Sequence, residues 1–223
     1  MSSHPVETLS GTKSGIYPNL QVYIPNLSRE PIAKTPFLLA PRSVFLAHDM
    51  AKDFALVLIH RHFQLAPNER LVEYNDVAAP WEVDAPLLHL TSRIYPKSWA
   101  FIDDKLCPYE FGFEADAAAP VPSCQIPEAF IKDLGTVLLK YGLMRVFGLG
   151  WAQAEANTMS VGKQVMEFTT GRANITVAMT EENQADAYIE ASWKFADKDQ
   201  GLGGDFKTTM RGCFRCCSFH KSV

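Results

Sequence analysis

"LVLIHRHFQLAPNERLVEYND" runs from Leu56 to Asp76. A continuous apolar run, Phe54 to Ile59, leads into His60-Arg61-His62, then into "APNE" and "RLVEYND". Proline and asparagine between two strand-like segments are turn chemistry, so the stretch predicts a β-hairpin of 54–65 with 70–75. A helix over 54–65 is the competing reading, because a short apolar run does not separate the two by periodicity alone. A core strand gains nothing from two imidazoles and a guanidinium, so the triplet is where function is sought.

The hairpin fixes a register. Loops of two or four residues are both centred between Pro67 and Asn68, and both set His62 opposite Glu73, His60 opposite Asn75 and Arg61 opposite Tyr74. Side chains alternate along a strand, so His60, His62, Glu73 and Asn75 share one face. Arg61 lies on the other, within reach of the Tyr74 ring. Two imidazoles at i and i+2 facing a carboxylate are a ligand set for a divalent metal, with His60, His62 and Glu73 as donors and His89 or His48 as a third nitrogen. Without metal, His62 and Glu73 form an acid–base pair, Glu73 fixing the imidazole tautomer and Asn75 offered to substrate. The third reading is a satisfied polar pair that only stabilises the sheet. A three-residue loop would remove the Glu73 pairing.

The bulk composition narrows the function classes. The chain has 223 residues, 47% of them hydrophobic and 21% charged, enough for one sizeable core. A net charge of −4 argues against a nucleic-acid partner. No run approaches the roughly 18 apolar residues of a membrane helix, and "MSSHPVETLSGTKSG" lacks the apolar centre of a secretory signal. The expectation is a cytoplasmic protein with no membrane contact. Five cysteines, three crowded in "CFRCCSFH", do not form a secreted disulfide framework.

Along the chain, five prolines between Pro18 and Pro41 predict an extended arm over 1–41, which is also a candidate for homodimer packing. "SVFLAHDMAK" predicts a short helix with Ser43 as its N-cap. "LLHLTSRIY" reads as a strand, and "SWAFIDDKLCPYEFGFE" as a strand or hairpin turning at Asp103-Asp104. Residues 127–141 form the firm helix: Pro127 suits its start, Gly142 its C-terminal cap, and Phe130, Ile131, Leu134, Val137, Leu138 and Tyr141 fall on one face. Strands follow at "LMRVFGLGWA", 164–170, 173–179 and "AYIEASWKF", with Gly171 turning the middle pair. The sum is an α+β fold, a mostly antiparallel sheet with the helix packed on one face. The divisions expected are the arm at 1–41, one domain at 42–206 and a cysteine-containing tail at 207–223.

Two further segments carry chemistry. Cys213, Cys216, Cys217 and His220 resemble half of a zinc site, with reduced thiols on a free tail as the alternative. In "EFTTGRANITV", Arg172 sits at a tight turn and is a candidate for binding an anionic substrate group, or a solvated surface arginine. Walker, GxGxxG, GxSxG and HExxH patterns do not occur.

Taken together, "LIHRHFQL…NERLVEYN…PW", "KYGLMRVFGL", "EFTTGRANI" and the terminal cysteines resemble a group of small proteins of filamentous fungi. The resemblance covers the chain from about residue 40, implies a fungal source, and brings no catalytic residues with it. His-x-His followed by glutamate is also similar to the cupin signature, but the glycines that flank that signature are missing. The reading that results is a small-molecule-binding protein, an enzyme if His60, His62 and Glu73 form a working site with a divalent metal. The alternative is a non-catalytic binding or interaction protein in which the His/Glu pair is structural.

Overall fold

The computed structural model describes residues 38–82, 92–152, 165–178, 188–195 and 211–214. The first helix, α1 (Leu39–Ala47), starts earlier than expected. Pro41 falls within its first turn, where a missing N–H removes no bond, and Ser43 is not the cap: its hydroxyl donates back to the Leu39 carbonyl at 3.0 Å.

The strands are β1 (Phe54–Leu58), β2 (Glu69–Tyr74), β3 (Val77–Glu82), β4 (Ile94–Ile102), β5 (Lys105–Phe113), β6 (Phe147–Trp151), β7 (Val165–Thr170), β8 (Ala173–Ala178), β9 (Tyr188–Glu190), β10 (Ser192–Trp193) and β11 (Arg211–Phe214). The second helix, α2 (Glu128–Lys140), precedes β6. Gly142 at φ 68 ends α2, with Leu143 N–H donating to the Leu138 carbonyl and Gly142 N–H to that of Leu139. Of its predicted apolar face, Phe130, Leu134 and Leu138 are buried, whereas Tyr141 is exposed.

The strands form one mixed sheet in the order β10-β1-β6-β4-β5-β2-β3-β8-β7-β11-β9. Most neighbours are antiparallel, but β2 with β5 and β7 with β11 run parallel. The sheet curls into a half-barrel. Its two outermost strands, β9 and β10, are separated in the chain by Ala191 alone, so one stretch of backbone supplies both edges.

Alternation then sorts the side chains. Phe54, Leu56 and Leu58 of β1, Trp99 and Phe101 of β4, and Phe147 and Leu149 of β6 join Phe45, Phe130, Leu134 and Leu138 of the helices in the main core. On the opposite face a smaller cluster of Ile59, Leu71, Ala78, Ala100 and Tyr109 is plugged by Phe63 and Leu65. The β1 run is apolar throughout because both of its faces are covered.

The predicted hairpin does not form. Strand β1 pairs antiparallel with β6 and β10, while β2 pairs with β3 and β5. Residues 66–69 do turn, the Glu69 amide donating to the Ala66 carbonyl at 3.0 Å, but the flanking segments diverge. Strand β2 finds a tighter neighbour: Tyr74 pairs with Val77 across Asn75-Asp76, both at positive φ (49° and 63°), the turn whose twist matches paired strands. The pairings of His62 with Glu73 and His60 with Asn75 are therefore corrected. Both histidines lie instead in the irregular stretch that follows β1. At the other end, residues 211–214 of the expected tail are a strand of the sheet. His89, Cys216, Cys217, His220 and residues 1–37 of the expected arm lie outside the described residues.

Candidate metal centre

The interior carries polar side chains in unusual number. His60, His62, Lys97, Ser98, Glu167, Asn174, Thr176 and Ser192 are all buried. Buried polar groups are stabilised only when partnered, so their arrangement is informative.

His60 and His62 reach this interior because the chain leaves β1 at Leu58 and turns inward. The Ile59 amide still donates to the Val146 carbonyl, at 2.8 Å. His60 Nδ1–H donates to the Leu58 carbonyl at 2.9 Å, which leaves the Nε2 lone pair pointing away from the backbone. His62 Nδ1 lies 3.3 Å from Thr169 Oγ1, and that hydroxyl donates to Asn174 Oδ1 at 3.4 Å. Thr169 and Asn174 are register partners on β7 and β8, which places this relay on one hairpin. With its proton given to Asn174, the hydroxyl accepts from His62 Nδ1–H, so His62 also presents an Nε2 lone pair.

Both Nε2 atoms face Glu167 of β7. Glu167 Oε2 lies 3.7 Å from His60 Nε2 and 3.5 Å from His62 Nε2, and the three donor atoms lie within 4.8 Å of one another. At 3.7 Å the His60 contact is an ion-pair distance and not a hydrogen bond, and His60 Nε2 has no hydrogen-bond partner. Metal–ligand bonds of about 2.0–2.2 Å in a tetrahedron set donors roughly 3.3–3.6 Å apart, and the two Glu167–histidine separations, 3.5 and 3.7 Å, lie near that range. Two imidazoles whose outer nitrogens are anchored to oxygen, with a carboxylate between their inner nitrogens, form a group that could hold a metal ion.

Electrostatics favours a cation here. Burial pulls the His60 pKa down, but the Glu167 carboxylate, the more distant Glu110 and the Leu58 carbonyl outweigh it and push it up to about 9. Two cavities adjoin the group, sharing Lys97, Glu110 and Glu167 in their walls. Glu73, Glu110 and Glu167 bring three carboxylates to these walls against one ammonium, Lys97. That leaves two excess negative charges around a neutral His60 and one around a protonated His60. Ser98 donates to Glu110 at 2.8 Å, and Lys97 is bonded to Glu73. Lys97 and Ser98 are adjacent yet line the same cavity, because the β4–β5 register shifts at Pro96–Ser98 and re-aims one of them.

The room is small. The larger cavity leaves about 30 Å³ for the centre of a water-sized atom and the second about 10 Å³. That suits an ion with one or two waters, and is far below a drug-sized pocket. Ser192 Oγ, on the wall of the larger cavity, is buried with no hydrogen-bond partner.

Among the described residues expected at the site, the structure brings together His60 and His62. Glu73 belongs to Lys97. Asn75 occupies the exposed tip of the β2–β3 turn. His48 sits at the end of α1 against Asp133 of α2, at 2.8 Å. Arg172 is at the β7–β8 turn as expected, but its guanidinium is engaged by Glu69. Glu167 was not a candidate from sequence, although it stands in "EFTTGRANITV". Its signal is the spacing of Glu167 and Thr169, and of Asn174 and Thr176, which puts two polar faces on adjacent strands. No family model matches the chain, nor does any curated protein sequence or solved structure.

Proposed function

We propose that this protein is a metal protein acting on a small molecule, with His60, His62 and Glu167 holding one divalent cation. The observation that carries the reading is the buried Nε2 of His60, which makes no hydrogen bond, beside the Glu167 carboxylate. Nitrogen and carboxylate donors suit zinc or iron(II), and the adjoining cavity is lined by Glu110, Ser98 and Ser192. Such a cation would supply Lewis acidity, and Glu110, on the wall of the same cavity, would serve as the base. The narrow cavity restricts the incoming ligand to a few heavy atoms.

The competing reading is a protein without metal, in which a protonated His60 neutralises Glu167 and the group only stabilises the fold. The raised His60 pKa favours it. Metal analysis and titration with zinc or cobalt(II) separate the two. The expected result is one equivalent bound by the wild type and lost in His60→Ala, His62→Ala and Glu167→Gln, with Glu73→Gln retaining it. Folded wild type that takes up no metal would leave the structural reading standing.

A further inference from the structure

The stretch 59–68 carries both imidazoles yet belongs to no strand. Something must hold it against β7, where Glu167 and Thr169 lie. Phe63 and Leu65 plug it into the smaller core. A second attachment lies at the surface. At the β7–β8 turn, Thr170 pairs with Ala173 across Gly171-Arg172, and Gly171 takes φ 58, a value at which a side chain would be strained. The turn projects Arg172 back over the histidine stretch. Its guanidinium donates to both oxygens of Glu69, Oε1 at 3.1 Å, and to the Gln64 carbonyl at 3.3 Å. Glu69 Oε2 also accepts from the Ala66 amide at 2.7 Å.

We infer that Arg172 is a positioning residue for the centre: with Glu69 it forms a clasp that locks the histidine-bearing stretch onto the hairpin bearing Glu167. The inference rests on the proposed reading of the site and adds to it what sets the spacing between the donors. One turn supplies Glu167, Thr169, Arg172 and Asn174 within the eight residues "EFTTGRAN". A ligand, the relay behind another ligand and the clasp over the loop thus move as one piece. An isolated exposed ion pair contributes little to stability. This one is bidentate with a third bond to backbone, and its effect is geometric: it restricts the segment whose placement decides whether three donors converge. The two events are then linked, so that metal binding tightens the clasp as much as the clasp tightens metal.

The test uses the full chain and two readouts. In the first, cobalt(II) affinity and its release to a chelator are measured for wild type, Arg172→Ala, Arg172→Lys and Glu69→Gln. The expected result is roughly fivefold weaker binding and faster release in Arg172→Ala and Glu69→Gln. Arg172→Lys falls between, because an ammonium lacks the planar fork. The Arg172→Ala/Glu69→Gln double variant should be no worse than either single one. In the second readout, the side-chain NMR signals of His60 and His62 are compared in metal-free protein, and are expected to shift in Arg172→Ala while the melting temperature moves little. If metal affinity, release and both imidazole signals are unchanged in Arg172→Ala, the clasp is overturned. If the wild type binds no metal but the imidazole signals still shift, the metal reading fails and the clasp stands.

Discussion

Thr169 determines what His62 can offer. An imidazole presents either nitrogen as its lone-pair face, and only the partner of the other nitrogen decides which. The Thr169 hydroxyl, itself donating to Asn174, selects the Nδ1–H form and turns Nε2 toward Glu167. Thr169→Val keeps the shape of the side chain and removes the acceptor. It should weaken metal binding by about 10- to 100-fold with modest loss of stability, read by competition against a chromophoric chelator. Unchanged affinity in that variant would show that the relay orients nothing. His60 needs no such relay, because its orienting acceptor is the carbonyl of Leu58, two residues back.

At the scale of elements, the turns show what local chemistry specifies. Asp103-Asp104 between β4 and β5, and Asn75-Asp76 between β2 and β3, each place two non-glycine residues at positive φ. Such residues carry a conformational cost of about 1 kcal/mol that glycine avoids. Asp104→Gly should therefore stabilise the protein by about 0.5–1 kcal/mol, visible as a higher thermal midpoint. Asp104→Val should lower it.

The same elements mark where sequence reading ends. The β4–β5 and β7–β8 hairpins and the helix α2 were legible, because their signals, paired aspartates, Gly171-Arg172, and Pro127 with Gly142, lie within a few residues of what they specify. The pairing of β1 was not. The turn signal of "APNE" is real, but β1 satisfies its backbone through Gly148, Gly150 and Ser192, far along the chain. The site divides in the same way. His60-x-His62 stands out in sequence because imidazoles are rare in an apolar run, whereas Glu167 is a single carboxylate in a strand about a hundred residues further on. Its approach to the histidines is a long-range contact, and Glu73, the carboxylate expected there, goes to Lys97.

For the whole molecule the buried charge couples the site to stability. The folded pKa of His60, about 9, lies above the 6.5 of a free imidazole, so its interaction with Glu167 favours the folded state most below pH 6.5. That contribution, on the order of 3 kcal/mol, is lost as pH rises through 9. Metal-free protein should therefore show a urea midpoint that falls between pH 6.5 and 9, and the slope should flatten in His60→Asn. Metal competes with the same proton, so in that window apparent affinity should rise as pH rises.

One stretch of backbone, 188–193, forms both edges of the sheet, and this governs the order of assembly. Strand β1 and the histidines are synthesised early, yet the Leu56 partner Trp193 and the hairpin bearing Glu167 emerge much later. A ribosome-bound chain that has passed β6 displays two imidazoles without their carboxylate and an open margin along β1, the kind of unpaired margin that invites association with other chains. Contacts this distant in sequence also make for slow folding. Strands β9 and β10 thus act as a seam: until they close it, the nascent protein lacks a covered margin along β1.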